Sequence, residues 1–212
     1  MDSFLLFVEQ LSNQLQKTLP GEAVQFEMAH AERERIFYEN LQEEDYRVSA
    51  VLIFIYPNNQ NNPSFLLIER PTYDGHHSAQ IALPGGKAEL FDFDIKATAL
   101  REFGEETGCV ETPIVIGKLT PVYIPVSKFV VHPFVAYLNH KPNFNPDTRE
   151  VAQLIECPIS TLVNKGIVKE TIVTPIKNVS FKTPYFDIEN KIVWGATAMI
   201  LNEFKIVSTS VE

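Results

Sequence analysis

Apolar and polar positions along the chain repeat at two different periods. Near the N-terminus, Phe4, Phe7, Val8, Leu11 and Leu15 recur at helical spacing, with Asp2 or Ser3 as the cap and Pro20-Gly21 as the stop. Residues 22–46 are polar and charged and read as a connecting stretch. Residues 47–56 (RVSAVLIFIY) and 64–69 (SFLLIE) are apolar, β-branched runs separated by an Asn-rich segment, which predicts a buried hairpin. Short strands are expected at 80–83, 114–119, 130–138, 151–157 and 171–174, with a short helix at 159–164. Helical spacing returns over 94–107, with Ile95, Ala99, Leu100 and Phe103 inward and Gly108 as the stop, and 192–204 reads as a closing helix. Strands outnumber helices but are interleaved with them, so the pattern predicts an α/β fold, a mixed sheet packed between helices.

Composition narrows the picture. With 212 residues, 45% hydrophobic and 21% charged, the chain suits one large domain or a domain with an appended helix. Its net charge of −9 disfavours long nucleic acid as a partner, because phosphate contacts along a polymer come from Lys and Arg. Small phosphorylated ligands stay open, since a metal can supply the missing positive charge. Cys109 and Cys157 lack ligand-like spacing and read as reduced, buried thiols. There is no basic leader before the apolar run at 4–8, and no apolar stretch of about 20 residues to span a bilayer. A cytoplasmic location without membrane attachment is the expectation.

The chemistry concentrates in Arg101-Glu102-Phe103-Gly104-Glu105-Glu106-Thr107-Gly108. Glu102, Glu105 and Glu106 stand at i, i+3 and i+4, so the three project from one helix face and repel each other. They also crowd the end of a helix, where the dipole favours cations, each at a cost of a few tenths of a kcal/mol (on the order of 0.3). A solvated acidic face is one reading. The other is a site for Mg²⁺ or Mn²⁺, hard cations that take oxygen ligands, with the three carboxylates converging on one point.

The preceding Leu83-Pro84-Gly85-Gly86-Lys87 supports the metal reading, because its glycines let backbone approach a metal or phosphate. Gly86 can offer a carbonyl or amide there. Lys87 is a phosphate partner or a surface charge, Arg70 a phosphate ligand or the partner of a local acid. Asp92 is expected to cap the helix rather than to extend the acidic cluster. Mid-helix Gly104 costs about 1 kcal/mol relative to Ala, which close packing or substrate clearance would explain.

Residues 86–109 resemble the Nudix box: a glycine, five residues, an acid, a spacer, then Arg-Glu-apolar-x-Glu-Glu-x-Gly-apolar, with Cys109 in the last position. Asp92 stands in place of Glu, and the spacer is one residue longer than the usual seven. Both departures resemble the coenzyme A pyrophosphatase-like branch. So does the upstream Leu66-Leu67-Ile68-Glu69-Arg70 followed by His77-Ser78-Ala79-Gln80-Ile81-Ala82-Leu83-Pro84-Gly85-Gly86, in which Ala79 replaces a glycine. Ile192-Val193-Trp194-Gly195-Ala196-Thr197-Ala198 looks like that branch's closing helix, although Trp194 itself reads as core rather than ligand-stacking.

The resemblance runs over about residues 35–205 and implies a Nudix-type α/β/α sandwich with a mixed sheet over 35–212, preceded by an N-terminal helix and connector over 1–34. It implies metal binding by Glu102, Glu105 and Glu106 with Gly86, and Mg²⁺ or Mn²⁺ as cofactor. Arg101 would orient the glutamates, and Glu102 or Glu150 would act as base, so Glu102, Arg101, Glu105 and Glu150 form the catalytic set. Arg70, His77, Gly85, Gly86 and Lys87 are the candidate substrate contacts. The implied reaction is hydrolysis of a small nucleotide diphosphate, with coenzyme A or a derivative foremost. ADP-sugars, dinucleotides or nucleoside triphosphates are the alternative substrates, and a catalytically inactive sensing or protein-binding domain is a third reading. The N-terminal helix is open to covering a core edge or to homodimerisation.

Overall fold

A computed structural model describes residues 2–71, 80–176 and 179–211. Helix α1 spans Ser3–Leu15, and the Asp2 carboxylate accepts a hydrogen bond from Phe4 N–H at 2.9 Å, so the cap expectation holds. Phe4, Val8, Leu11 and Leu15 are buried. The stretch expected to be a plain connector is instead folded into a short helix α2 (Glu22–Gln25) and 3-10 turns at Phe26–Met28, Tyr38–Asn40 and Glu43–Asp45. What organises it is Glu203, a fully buried carboxylate that accepts from Gly21 N–H, Thr120 N–H, the Thr120 hydroxyl and Gln25 Nε2 at 2.7–3.1 Å. Four donors compensate the lost hydration of the charge.

Strands β1 (Arg47–Pro57) and β2 (Pro63–Glu69) form the expected hairpin, with Ile55 opposite Phe65. Then come β3 (Ile81–Ala82), β4 (Gly85–Lys87), α3 (Ile95–Thr107), β5 (Ile114–Lys118), β6 (Val122–Ile124), β7 (Phe129–Tyr137), β8 (Gln153–Pro158) and α4 (Ile159–Leu162). The main sheet runs β3-β2-β1-β7-β5, with β4 added to β1, β6 to β7 and β8 to β2. It is mixed: β1 and β7 are parallel and the other pairs antiparallel. A second, antiparallel sheet joins β9 (Val168–Ile176), β10 (Val179–Ile188) and β11 (Lys191–Val193). Helix α5 (Gly195–Thr209) closes the order of elements.

The closing helix therefore begins later than expected. Lys191–Val193 pairs as a strand with Phe186–Ile188, and Gly195, at φ +66°, turns the chain before the helix starts. The pattern also does not indicate β6, β10 or β4, the last because Gly85 and Gly86, which pair with Val51 and Ala50, read as a break after the strand at 80–83. The alternation in β1 makes the sandwich: Leu52, Phe54 and Tyr56 face Phe103 of α3, while Ile53 and Ile55 face Phe4 of α1 and Phe204 of α5. All of these side chains are buried, so β1 is the strand covered on both faces. Both cysteines are buried free thiols, and burial pushes Cys157 up to about 12. Among the described residues, no helix is long and apolar enough to cross a membrane.

Candidate active site

The site forms where β4 meets α3. Asp94 caps α3, accepting from Ala97 N–H at 2.7 Å, and Gly108 ends it in the left-handed region at φ +66°. Asp92 is thus not the cap. Its carboxylate instead takes two parallel hydrogen bonds from Arg101, Nε to Oδ1 at 2.8 Å and Nη2 to Oδ2 at 2.9 Å, and further ones from the Thr98 hydroxyl and Glu89 N–H. These bonds to the charged form, those from Arg101 above all, hold the Asp92 carboxyl well below the usual carboxylate range. Asp92 in turn raises Arg101, keeping it a cation.

Arg101 is a hub. Its Nη1 donates to Glu102 Oε1 at 2.8 Å and to Glu105 Oε2 at 3.0 Å, while Nη2 reaches Lys87 O at 3.2 Å, tying α3 to β4. The expected convergence of three glutamates on one point is not what the structure shows: among the described residues no three acidic, His or Cys side chains are gathered into a ready-made metal cluster. Glu102 and Glu105 share the Arg101 guanidinium, whereas Glu106 points inward to Gly85 N–H, 2.8 Å from Oε2. Residues i, i+3 and i+4 share a helix face, but a fixed cation and a buried amide draw them apart.

Glu106 is 3% exposed. Its nearest cation is Arg70, whose Nη2 lies 3.5 Å from Oε1. Burial, with Glu102 and Glu150 adding repulsion, pushes Glu106 up to about 7 against the pull of Arg70 and the Gly85 amide. Burial also raises Glu102, opposed by Arg101 and reinforced by Glu105 and Glu150. The Glu102 carboxylate lies over Gly86 so closely that a Cβ there would come within 2.4 Å of it. Gly85, at φ +153°, is equally committed: a Cβ would come within 2.2 Å of Ala50 O. Gly104 needs no such clearance, since a Cβ would meet only Cys109 O at 3.6 Å, so close packing does not explain it.

The remaining expected contacts divide. Glu150 is exposed, in the loop before β8, and acts electrostatically on both Glu102 and Glu106. Arg70, at the end of β2, is brought to Glu106. Lys87 is exposed, its ammonium 3.9 Å from Glu89 and turned to the surface. His77 lies outside the described residues, as does the motif around it from 72 to 79. The Arg101–Asp92 and Arg70–Glu106 pairs were not assigned from sequence. An acid nine residues before an arginine carries no periodic signal, and the second pair joins a strand end to a helix 36 residues away.

The donor set suits a hard dication. It combines two carboxylates whose ionised form burial penalises, a third, half-exposed one that shares Arg101 with Glu102, and a backbone without a side chain at Gly86.

Comparison with known proteins bears on this arrangement. The family model described as the NUDIX domain matches residues 45–175. The Nudix hydrolase NudL of Yersinia pestis (strain Pestoides F) is 31% identical over 156 residues, 73% of this chain and 76% of that protein. Among solved structures, a MutT/nudix family protein from Enterococcus faecalis aligns at TM-score 0.52 and 16% identity over 92% of this chain and 71% of the other. A Nudix hydrolase from M. smegmatis, RenU, aligns at 0.50 and 16% over 78% and 88%. At these identities the two structures speak for the fold.

Proposed function

The chain belongs to the Nudix hydrolases, and on that premise we propose that it cleaves the diphosphate linkage of coenzyme A or a close derivative, giving 3′,5′-adenosine bisphosphate and 4′-phosphopantetheine. The observation that carries the reading is the burial of Glu106 beside the Gly85 amide, with Glu102 laid over Gly86. A carboxylate in so dry a place is costly to ionise and suits a protein that binds a cation and a polyanion together.

Glu102, Glu105 and Glu106, with the Gly86 carbonyl, would hold Mg²⁺ or Mn²⁺, which neutralises diphosphate oxygens and makes water a better nucleophile. The chain's own groups do the rest. Gly85 and Gly86 let the phosphates approach the backbone. Arg101, anchored on Asp92, keeps Glu102 and Glu105 in place. Arg70 and Lys87 carry positive charge at the edges of the site, and His77 belongs to the same upstream motif. Glu150 accepts the proton of the attacking water. Among the described residues its carboxylate has no hydrogen-bonded partner, whereas Glu102, the other candidate base, is held by Arg101.

The coenzyme A assignment is supported by Asp92 and the longer spacer, which here serve a structural end: Asp92 clamps Arg101. The test is to incubate purified chain and Mg²⁺ with coenzyme A, ADP-ribose and nucleoside triphosphates and to follow the products chromatographically. The reading expects bisphosphate release from coenzyme A at the highest kcat/KM. Cleavage of the other two with coenzyme A left intact would sink it.

A further inference from the structure

A second cluster, centred on His30 and Arg33, takes no part in the carboxylate site. It sits on the turn after the 3-10 helix at Phe26–Met28, where Arg33 N–H donates to His30 O at 3.0 Å. Arg33 Nη2 donates to Tyr123 O in β6 at 2.7 Å, and the guanidinium lies 5.9 Å from the centre of the Phe26 ring. His30 packs on Phe181 of β10, ring centres 4.1 Å apart, and Phe181 meets Trp194 edge-on at 5.9 Å.

Two atoms here are buried with no hydrogen-bond partner among the described residues, His30 Nδ1 and Arg33 Nε. Unmade hydrogen bonds of that kind are rare because the lost hydration is not returned. No carboxylate of the described residues pairs with Arg33, and burial alone pulls its pKa down. That is unusual in a chain with 27 acidic residues against 18 basic ones. A guanidinium with an unpartnered Nε–H is matched by a phosphate oxygen, since arginine presents planar, fixed donors to phosphate. The bordering rings supply the apolar surface on which a base packs.

Position agrees with this. Tyr123, which Arg33 grips, pairs with Val130, Val130 pairs with Val48, and Val48 O accepts from Ala88 N–H just beyond β4. The grip is therefore three strand spacings, about 14 Å, from the end of the glycine strand. An extended nucleotide together with the arginine side chain covers that interval.

We propose that His30 and Arg33 form a subsite for a phosphate monoester carried on the nucleoside half of the substrate, an assignment that rests on the diphosphate-hydrolase reading above. The test titrates the full chain calorimetrically, without metal, with adenosine 3′,5′-bisphosphate and with adenosine 5′-monophosphate. Wild type binds the bisphosphate at least tenfold more tightly. Arg33→Gln removes that preference, Arg33→Lys keeps part of it, and Lys17→Gln, an exposed cation outside the cluster, keeps all of it. In kinetics, Arg33→Gln raises KM for coenzyme A at least tenfold more than KM for its dephospho form.

Equal binding of the two nucleotides by wild type overturns the subsite, a result that needs no variant to fold. So does a folded Arg33→Gln that retains the preference, which would leave the two buried atoms to water. Wild type that prefers the bisphosphate yet cleaves no diphosphate contradicts the hydrolase reading and not the subsite. Wild type that cleaves coenzyme A and its dephospho form with equal KM contradicts the subsite and not the hydrolase.

Discussion

Arg101 holds Asp92 through two parallel hydrogen bonds, at 2.8 and 2.9 Å, with the Asp92 side chain only 5% exposed. Because the same guanidinium binds Glu102 and Glu105, the pair sets the geometry of the carboxylates from behind. Asp92→Ala should therefore cost about 2 kcal/mol of stability, the penalty for breaking a largely buried, hydrogen-bonded ion pair. It should also lower kcat, because Arg101 would swing free. Urea unfolding and steady-state rates check both. An unaltered rate would show that the clamp does not reach the chemistry.

Gly86→Ala separates activity from folding. The added Cβ would meet the end of the Glu102 side chain, a group that can rotate away, rather than backbone. Stability should stay within about 1 kcal/mol, as expected where a flexible side chain can yield. Activity should fall at least tenfold, because Glu102 can no longer occupy its place. Gly85→Ala, which would strike Ala50 O and Val51, should instead unfold or severely destabilise the chain.

Much of this was legible in the residues, and the illegible parts share a cause. Helix α1, the β1–β2 hairpin and α3 announce themselves through period, cap and stop, because local spacing determines which face is buried. The segment 22–46 reads as a connector because its order comes from Glu203, some 180 residues away, which no local pattern reports. Strand β11 merges with the closing helix in the sequence pattern because Ile192, Val193 and Ala196 keep an apolar rhythm across Gly195, and only that residue's φ of +66° shows the break. At the site, the glutamates and glycines were found from spacing and resemblance. Their division between Arg101 and the Gly85 amide is set by tertiary contacts.

The raised pKa of Glu106 makes stability depend on pH. Between the ordinary 4.5 and about 7, the folded chain keeps a proton that the unfolded chain releases. Stability therefore falls as pH rises through that window and levels off above it. The loss amounts to about 3 kcal/mol for this group. Glu102, also raised, acts in the same direction. Without metal, Glu106→Gln should lose correspondingly less between pH 5 and pH 8 in urea unfolding. An identical loss in the variant would show that the ionisation of Glu106 does not govern the change.

Glu150→Gln distinguishes a base from a ligand. The glutamine keeps size and polarity but takes no proton, so kcat should fall by about 10²–10⁴, the range of general acid–base catalysis. Mn²⁺ affinity should change no more than about twofold, a shift under 0.5 kcal/mol. A full rate in the variant would move the role to Glu102.

The most direct test of the account is a calorimetric titration of Mn²⁺ into wild type and Glu106→Gln at neutral pH, alone and with a non-hydrolysable methylene diphosphonate. Wild type should take up the ion at millimolar concentration or below, more tightly with the diphosphonate present, and the variant at least tenfold more weakly. No uptake by wild type under either condition, or equal uptake by the variant, would contradict the claim that these carboxylates are held ready for a dication.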